Sequence, residues 1–81
     1  MADWLDVVIE ILLELAETHP DLEREIRLAV RRIERNPLIG RYVRNTRYIY
    51  TDPDFRFRIG YNYHPRGKEI EIAVINVFKS F

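Results

Sequence analysis

The sequence predicts an α+β domain, an N-terminal αα-hairpin packed on a small antiparallel β-sheet of three to four strands. Two observations predict it. Apolar residues recur every three to four positions as far as Arg35 and every second position from Arg47, the periods of helix and of half-buried strand. The chain has 81 residues, 47% hydrophobic and 32% charged, enough for one hydrophobic core and too few for two. A single domain therefore spans residues 1–81, with the hairpin in 1–36 and the sheet in 41–79.

The first helix is marked by Asp3, Asp6, Glu10, Glu14 and Glu17, whose spacing draws one acidic stripe. Nearly everything else from Trp4 to Ala16 is apolar, a sector wider than one contact face requires. Such a helix is buried on several sides or covered by a partner. His19-Pro20-Asp21 breaks and restarts the chain, with proline suited to a new first turn and Asp21 and Glu23 to the positive helix end. In the second helix Leu22, Ile26, Ala29, Val30 and Ile33 share a face, and Asn36-Pro37 ends it. Residues 41 to 46 are a short strand or a loop. Strands follow at Arg47-Tyr48-Ile49-Tyr50, at Phe55 to Tyr63 and at Lys68 to Phe78, separated by turns at Asp52-Pro53-Asp54 and His64-Pro65-Arg66-Gly67.

A four-residue loop at 64–67 sets Tyr61 opposite Ile70, Ile59 opposite Ile72 and Phe57 opposite Val74, all apolar and all under the helices. A loop at 51–54 sets Tyr48 opposite Phe57 and Tyr50 opposite Phe55 on that side. The other face then pairs Arg47 with Arg58, Ile49 with Arg56 and Asn62 with Glu69. Opposed arginines are destabilising unless an anion joins them. Glu71, diagonal to Arg58, or an RNA phosphate would serve. Gly60 lies inside a strand, where glycine often marks a bulge, and a bulge would shift this register.

Thirteen basic and thirteen acidic residues cancel, which excludes a uniformly basic nucleic-acid binder. The cancellation conceals a division. Residues 1–35 carry nine acids and five bases, net −4, and residues 36–81 carry four acids and eight bases, net +4. Eleven of the thirteen bases are Arg; arginine suits forked contact with phosphate, and a GC-rich genome yields the same bias. Without cysteine there is no disulfide, thiolate nucleophile or Cys-based zinc site. Two distant histidines suggest no metal centre, Ser80 is the single serine, and no glycine-rich phosphate loop occurs. No cofactor and no metal are expected. Asp6, Glu10 and Glu14 interrupt the N-terminal apolar stretch, so neither a membrane span nor a signal peptide is expected, and the expected location is cytoplasmic. Most aromatics of the basic half alternate onto the helix-covered face, a core role; Tyr42, Tyr63 and Phe81 are the exceptions able to stack bases.

The order of elements, the ending Asn36-Pro37-Leu38-Ile39-Gly40, the strand Phe55-Arg56-Phe57-Arg58-Ile59-Gly60-Tyr61 and the strand from Glu69 to Val77 together resemble the RelE/ParE superfamily, toxins of type II toxin–antitoxin modules. The resemblance implies ribosome-dependent mRNA cleavage by attack of a ribose 2′-hydroxyl, with cations stabilising charge on the phosphate and no metal required. It places Arg58, Arg56 and Lys79 in catalytic positions, with Arg56 on the same face as Arg58. Arg47, Asn62, His64 and Arg66 are the accompanying RNA-binding candidates. The implied partners are a cognate antitoxin, the ribosome and mRNA, with no membrane. The wide apolar sector, through Trp4, Val8, Ile11, Leu12 and Leu15, would receive the antitoxin or a second copy in a homodimer.

One departure stands out. Family members usually begin with a β-strand, whereas Met1-Ala2-Asp3-Trp4 reads as leading directly into helix. ParE-like relatives lack the nuclease residues and act on DNA gyrase, so a non-catalytic or degenerate toxin is the alternative reading. An engineered or generated domain without activity is a third. The absent cysteine and balanced charge fit that reading, and the arginine excess does not.

Overall fold

The apolar face foreseen in the second helix buries as a unit, whereas only part of the wider apolar sector of the first does. Val8, Leu12 and Leu15 of the first helix and Leu22, Ile26, Ala29, Val30 and Ile33 of the second enter one core with Tyr50, Phe57, Ile59, Tyr61, Ile70, Ile72 and Ile75 of the sheet. The computed structural model describes residues 2–44 and 47–78. Their order is β1 (Ala2–Trp4), α1 (Asp6–Thr18), α2 (Pro20–Arg35), β2 (Arg41–Val43), β3 (Arg47–Thr51), β4 (Phe57–His64) and β5 (Glu69–Val77). Two helices lie on one five-stranded sheet, ordered β1-β5-β4-β3-β2. Among the described residues no helix is long and apolar enough to cross a membrane.

The sheet is mixed, with five strands, which corrects the expected antiparallel sheet of three to four. Residues 41–43 are a strand, and Ala2-Asp3-Trp4 is a strand rather than the start of a helix. It runs parallel to β5, pairing with Ile70, Glu71 and Ile72. Ala2 N donates to Glu34 Oε2 at 2.6 Å, and Leu5 N donates to Ile72 O at 3.2 Å. Three residues are too few for a period of two to stand out. What holds them extended is the partner edge of β5, which is distant in sequence.

The register also differs. The β4–β5 loop is Pro65 to Lys68, with Lys68 at φ 54°. Tyr61 therefore faces Ile72, not Ile70, and Asn62 faces Glu71, not Glu69. A bulge follows at Gly60/Tyr61, where Gly60 pairs with Val74 and Ala73 is left over on β5. The extra residue reverses the alternation. Beyond it Ile59 faces Ile75 and Phe57 faces Val77, so Ile75 turns inward and Val74 outward. Gly60 provides the space, because a Cβ there would lie 2.5 Å from Val74 Cγ1.

The β3–β4 loop is longer than expected, running from Asp52 to Arg56 and closed by Asp52 N donating to Phe57 O at 3.0 Å. Tyr48 consequently faces Tyr61 and Tyr50 faces Ile59. Arg58 faces Thr51, and Ile49 faces Gly60. The opposed arginine pair of the sequence reading does not exist. Tyr42, Tyr48 and Tyr61 form an aromatic row across the sheet, with ring centroids 4.9 and 5.4 Å apart. The Tyr61 hydroxyl donates to Pro37 O at 2.5 Å and accepts from Gly40 N at 3.0 Å. This pins the α2–β2 connection, and burial pushes the Tyr61 phenol above its ordinary pKa. At Gly40 a Cβ would sit 2.7 Å from that hydroxyl, so no larger residue fits.

Candidate nucleic-acid interface

Strand alternation gives the sheet a second face, turned away from the helices. On β4 it presents Arg58, Gly60 and Asn62, while Phe57, Ile59 and Tyr61 point into the core. The pairings Arg41–Ile49–Gly60–Val74 and Thr51–Arg58–Asn76 lay two rows across this face. Between them opens a cleft of about 470 Å³ lined by Arg41, Tyr42, Val43, Arg44, Ile49, Thr51 and Arg58.

Each arginine has a local reason for its place. Arg41 begins the edge strand β2 on the outward side of the pleat. Arg44 follows β2 at φ 48°, a left-handed turn conformation that redirects the chain. Arg58 stands exposed on the strand opposite Thr51, its guanidinium carbon 5.4 Å from the centre of the Phe78 ring. An aromatic face restricts a guanidinium without neutralising it. Arg47 lies half-buried beside Gly60, where a Cβ would sit 3.4 Å from Arg47 Cδ. Among the described residues no carboxylate lines the cleft. The nearby acids are engaged elsewhere: Asp52 holds Arg56, and Glu71 Oε1 accepts from Asn62 Nδ2 at 3.0 Å.

Three arginines line the cleft together with Ile49 and Thr51, an arrangement able to hold a flexible polyanion. Arginine presents five donors in a planar fork that matches phosphate oxygens.

The site residues expected from sequence divide sharply. Arg58 lines the cleft, and Arg47 shares its face. Asn62 is also on that face, bonded to Glu71. Arg56 is not Arg58's companion. Its Nε donates to Asp52 Oδ2 at 2.8 Å, and its guanidinium lies 3.9 Å from Glu25 on α2 and 3.7 Å from Asp54. Arg56 thus belongs to the helix side of the sheet. His64 and Arg66 are exposed at the β4–β5 loop, about 20 Å along the strand from Arg58 at the usual rise per residue. Lys79 lies outside the described residues.

The expected partner-binding set is divided by the structure between the core and its partly exposed margin. Val8, Leu12 and Leu15 are core residues, and Trp4 and Ile11 pack against that core. The five-stranded sheet is broader than the one the sequence suggested and covers them. Leu5, Val7, Ile9 and Leu13 are the exposed apolar residues of that segment.

Sequence reasoning missed Arg41, Arg44, Ile49 and Thr51 as a group. Arg41-Tyr42-Val43-Arg44 carried a signal, two arginines flanking an aromatic and a β-branched residue. Without the strand order nothing connected it to Arg58. No protein-family model, curated protein or solved structure matches the chain.

Proposed function

We propose that the arginine cleft binds the phosphates of single-stranded RNA and that the chain acts as a RelE/ParE-type toxin cutting mRNA on the ribosome, held in check by a protein antitoxin. One observation carries this reading. Arg41, Arg44 and Arg58 converge from two strands and a turn on one carboxylate-free cleft. The N-terminal strand that the resemblance calls for is supplied by β1, which runs parallel to β5.

In this reading a ribose 2′-hydroxyl gives its proton to solvent water as its oxygen attacks the adjacent phosphorus to form a 2′,3′-cyclic phosphate, and the 5′-oxygen of the next nucleotide leaves and takes a proton from water. Negative charge grows on the non-bridging oxygens. Arg58, positioned beside Phe78, stabilises that charge, while Arg41 and Arg44 hold the flanking phosphates. Losing one preorganised donor of this kind costs about 10²–10³ in rate.

The test is inducible expression in bacteria with primer extension on a translated reporter mRNA, comparing wild type with Arg58→Ala. Growth arrest with cuts that fall about 10²-fold or more in the variant supports the nuclease. Normal growth removes the toxin reading. Arrest without cuts favours the non-catalytic alternative, a ParE-like toxin acting on gyrase. One observation favours that alternative: of the two neighbouring arginines expected to act together, Arg56 is committed to Asp52 and Arg58 alone lines the cleft.

A further inference from the structure

The outer face of the helical hairpin, on the side of the sheet opposite the arginine cleft, carries three parallel bands. Around α1, Ile9 and Leu13 fall between the buried Val8 and Leu12 and the acidic stripe of Asp6, Glu10, Glu14 and Glu17. They are 41% and 61% exposed. Both line a groove shared with Trp4 and with Arg27 of α2. Around α2, Arg27 is ion-paired with Glu23 on the same helix, and the exposed Arg31 and Arg24 follow it outward and carry the basic band. Across the face the bands therefore run acidic, apolar, basic.

We propose that a second copy of this chain docks on this face, in an isologous dimer whose two-fold axis runs along the groove between α1 and α2. The charge pattern selects that occupant and that axis. Rotation about a line parallel to the bands lays each copy's acidic band on the other's basic band and joins the two apolar strips. Rotation about a line across the bands opposes like charges, which is repulsive. A helix lacking both charge bands would cover the apolar strip and leave the charges unmatched.

The size of the face sets the strength. Thirteen residues of α1 at the standard helical rise give about 20 Å of length, and two helices give about 20 Å of width. Roughly 400 Å² per copy, about 800 Å² in total, falls short of the roughly 1,000 Å² of a stable interface, so the dimer is a weak one that forms only at high protein concentration. It is also salt-sensitive, because the flanking charges are exposed.

Sedimentation of the full chain tests this. At low salt and about 0.5 mM protein, the mass should approach twice the 9.8 kDa of the chain. Reversing the acidic band (Glu10→Arg with Glu14→Arg) or the basic band (Arg24→Glu with Arg31→Glu) should give monomers with unchanged far-UV circular dichroism. Mixing the two variants should then restore a dimer, because one chain has two basic bands and the other two acidic ones. Wild type that stays monomeric overturns the proposal and leaves the face to a different protein. Variants that dimerise like wild type, or that fail to pair when mixed, overturn it as well. RNA binding lies on the other sheet face, so either reading can fail while the other stands.

Discussion

Arg56 and Arg58 are two residues apart, yet they serve opposite sides of the sheet. Phe55 causes the split. At φ 56° it turns the chain left-handed just before β4, and regular alternation begins only at Phe57. Arg56 is then held from three directions by one carboxylate. Asp52 accepts from the Arg56 backbone N–H at 3.0 Å, from Nε at 2.8 Å and from a terminal guanidinium nitrogen at 3.3 Å. The guanidinium hydrogen bond, more than any other cause, holds the buried Asp52 carboxyl below its ordinary pKa, although burial alone would raise it. A carboxyl whose pKa is lower folded than unfolded stabilises the fold above the unfolded value of about 3.9. That contribution is lost as pH falls through the depressed folded value. Asp52→Asn should thus have a lower urea midpoint than wild type at pH 7, with the gap shrinking as pH falls below the unfolded carboxyl value of about 3.9. A gap that does not shrink on acidification would mean the charge is not what holds Arg56.

At the scale of an element, α1 presents the clearest test of what packing does to a pattern. Its apolar residues spread over most of its circumference, but the core accepts only Val8, Leu12 and Leu15 fully. Leu12→Ala should cost about 2–5 kcal/mol by removing buried methyl groups and leaving a cavity. Val7→Ala, at a position 55% exposed, should change stability by about 0.5 kcal/mol or less. Chemical denaturation of the two variants at low protein concentration decides it, and equal costs would mean that α1 is rotated about its axis. This is where the sequence was only partly legible. Both helices, three of the strands and the inward residues of β4 follow from periodicity, because each depends on neighbours three, four or two positions away. The edge strand β1 does not, because it is decided by a partner distant in sequence; Gly60 marked the place of a bulge, but the register beyond it is set by the pairing with β5. The candidate site suffered for the same reason. Arg58 was legible as an outward arginine, but Arg41 and Arg44 join it only through the order β4-β3-β2.

For the molecule as a whole, zero net charge hides a directional field. The acidic stripe of α1 lies on the hairpin, while the arginine cleft opens on the far face of the sheet. A polyanion is therefore oriented toward one face rather than attracted to the entire surface. Such binding has a countable signature, because each phosphate neutralised on a single strand releases condensed cations. The logarithm of the affinity should fall with the logarithm of salt at a slope of about −0.7 per contact. If Arg41, Arg44 and Arg58 each take one phosphate, fluorescence anisotropy with a labelled single-stranded RNA should give a slope of about −2. Replacing any one of the three with Ala should flatten the slope by about 0.7 and weaken binding, with little dependence on RNA sequence. Arg66→Ala at the β4–β5 loop and Arg24→Ala on α2 should leave the slope as it is. If Arg66→Ala flattens it and Arg58→Ala does not, the RNA path runs along the loop end of β4 and the cleft is not the site.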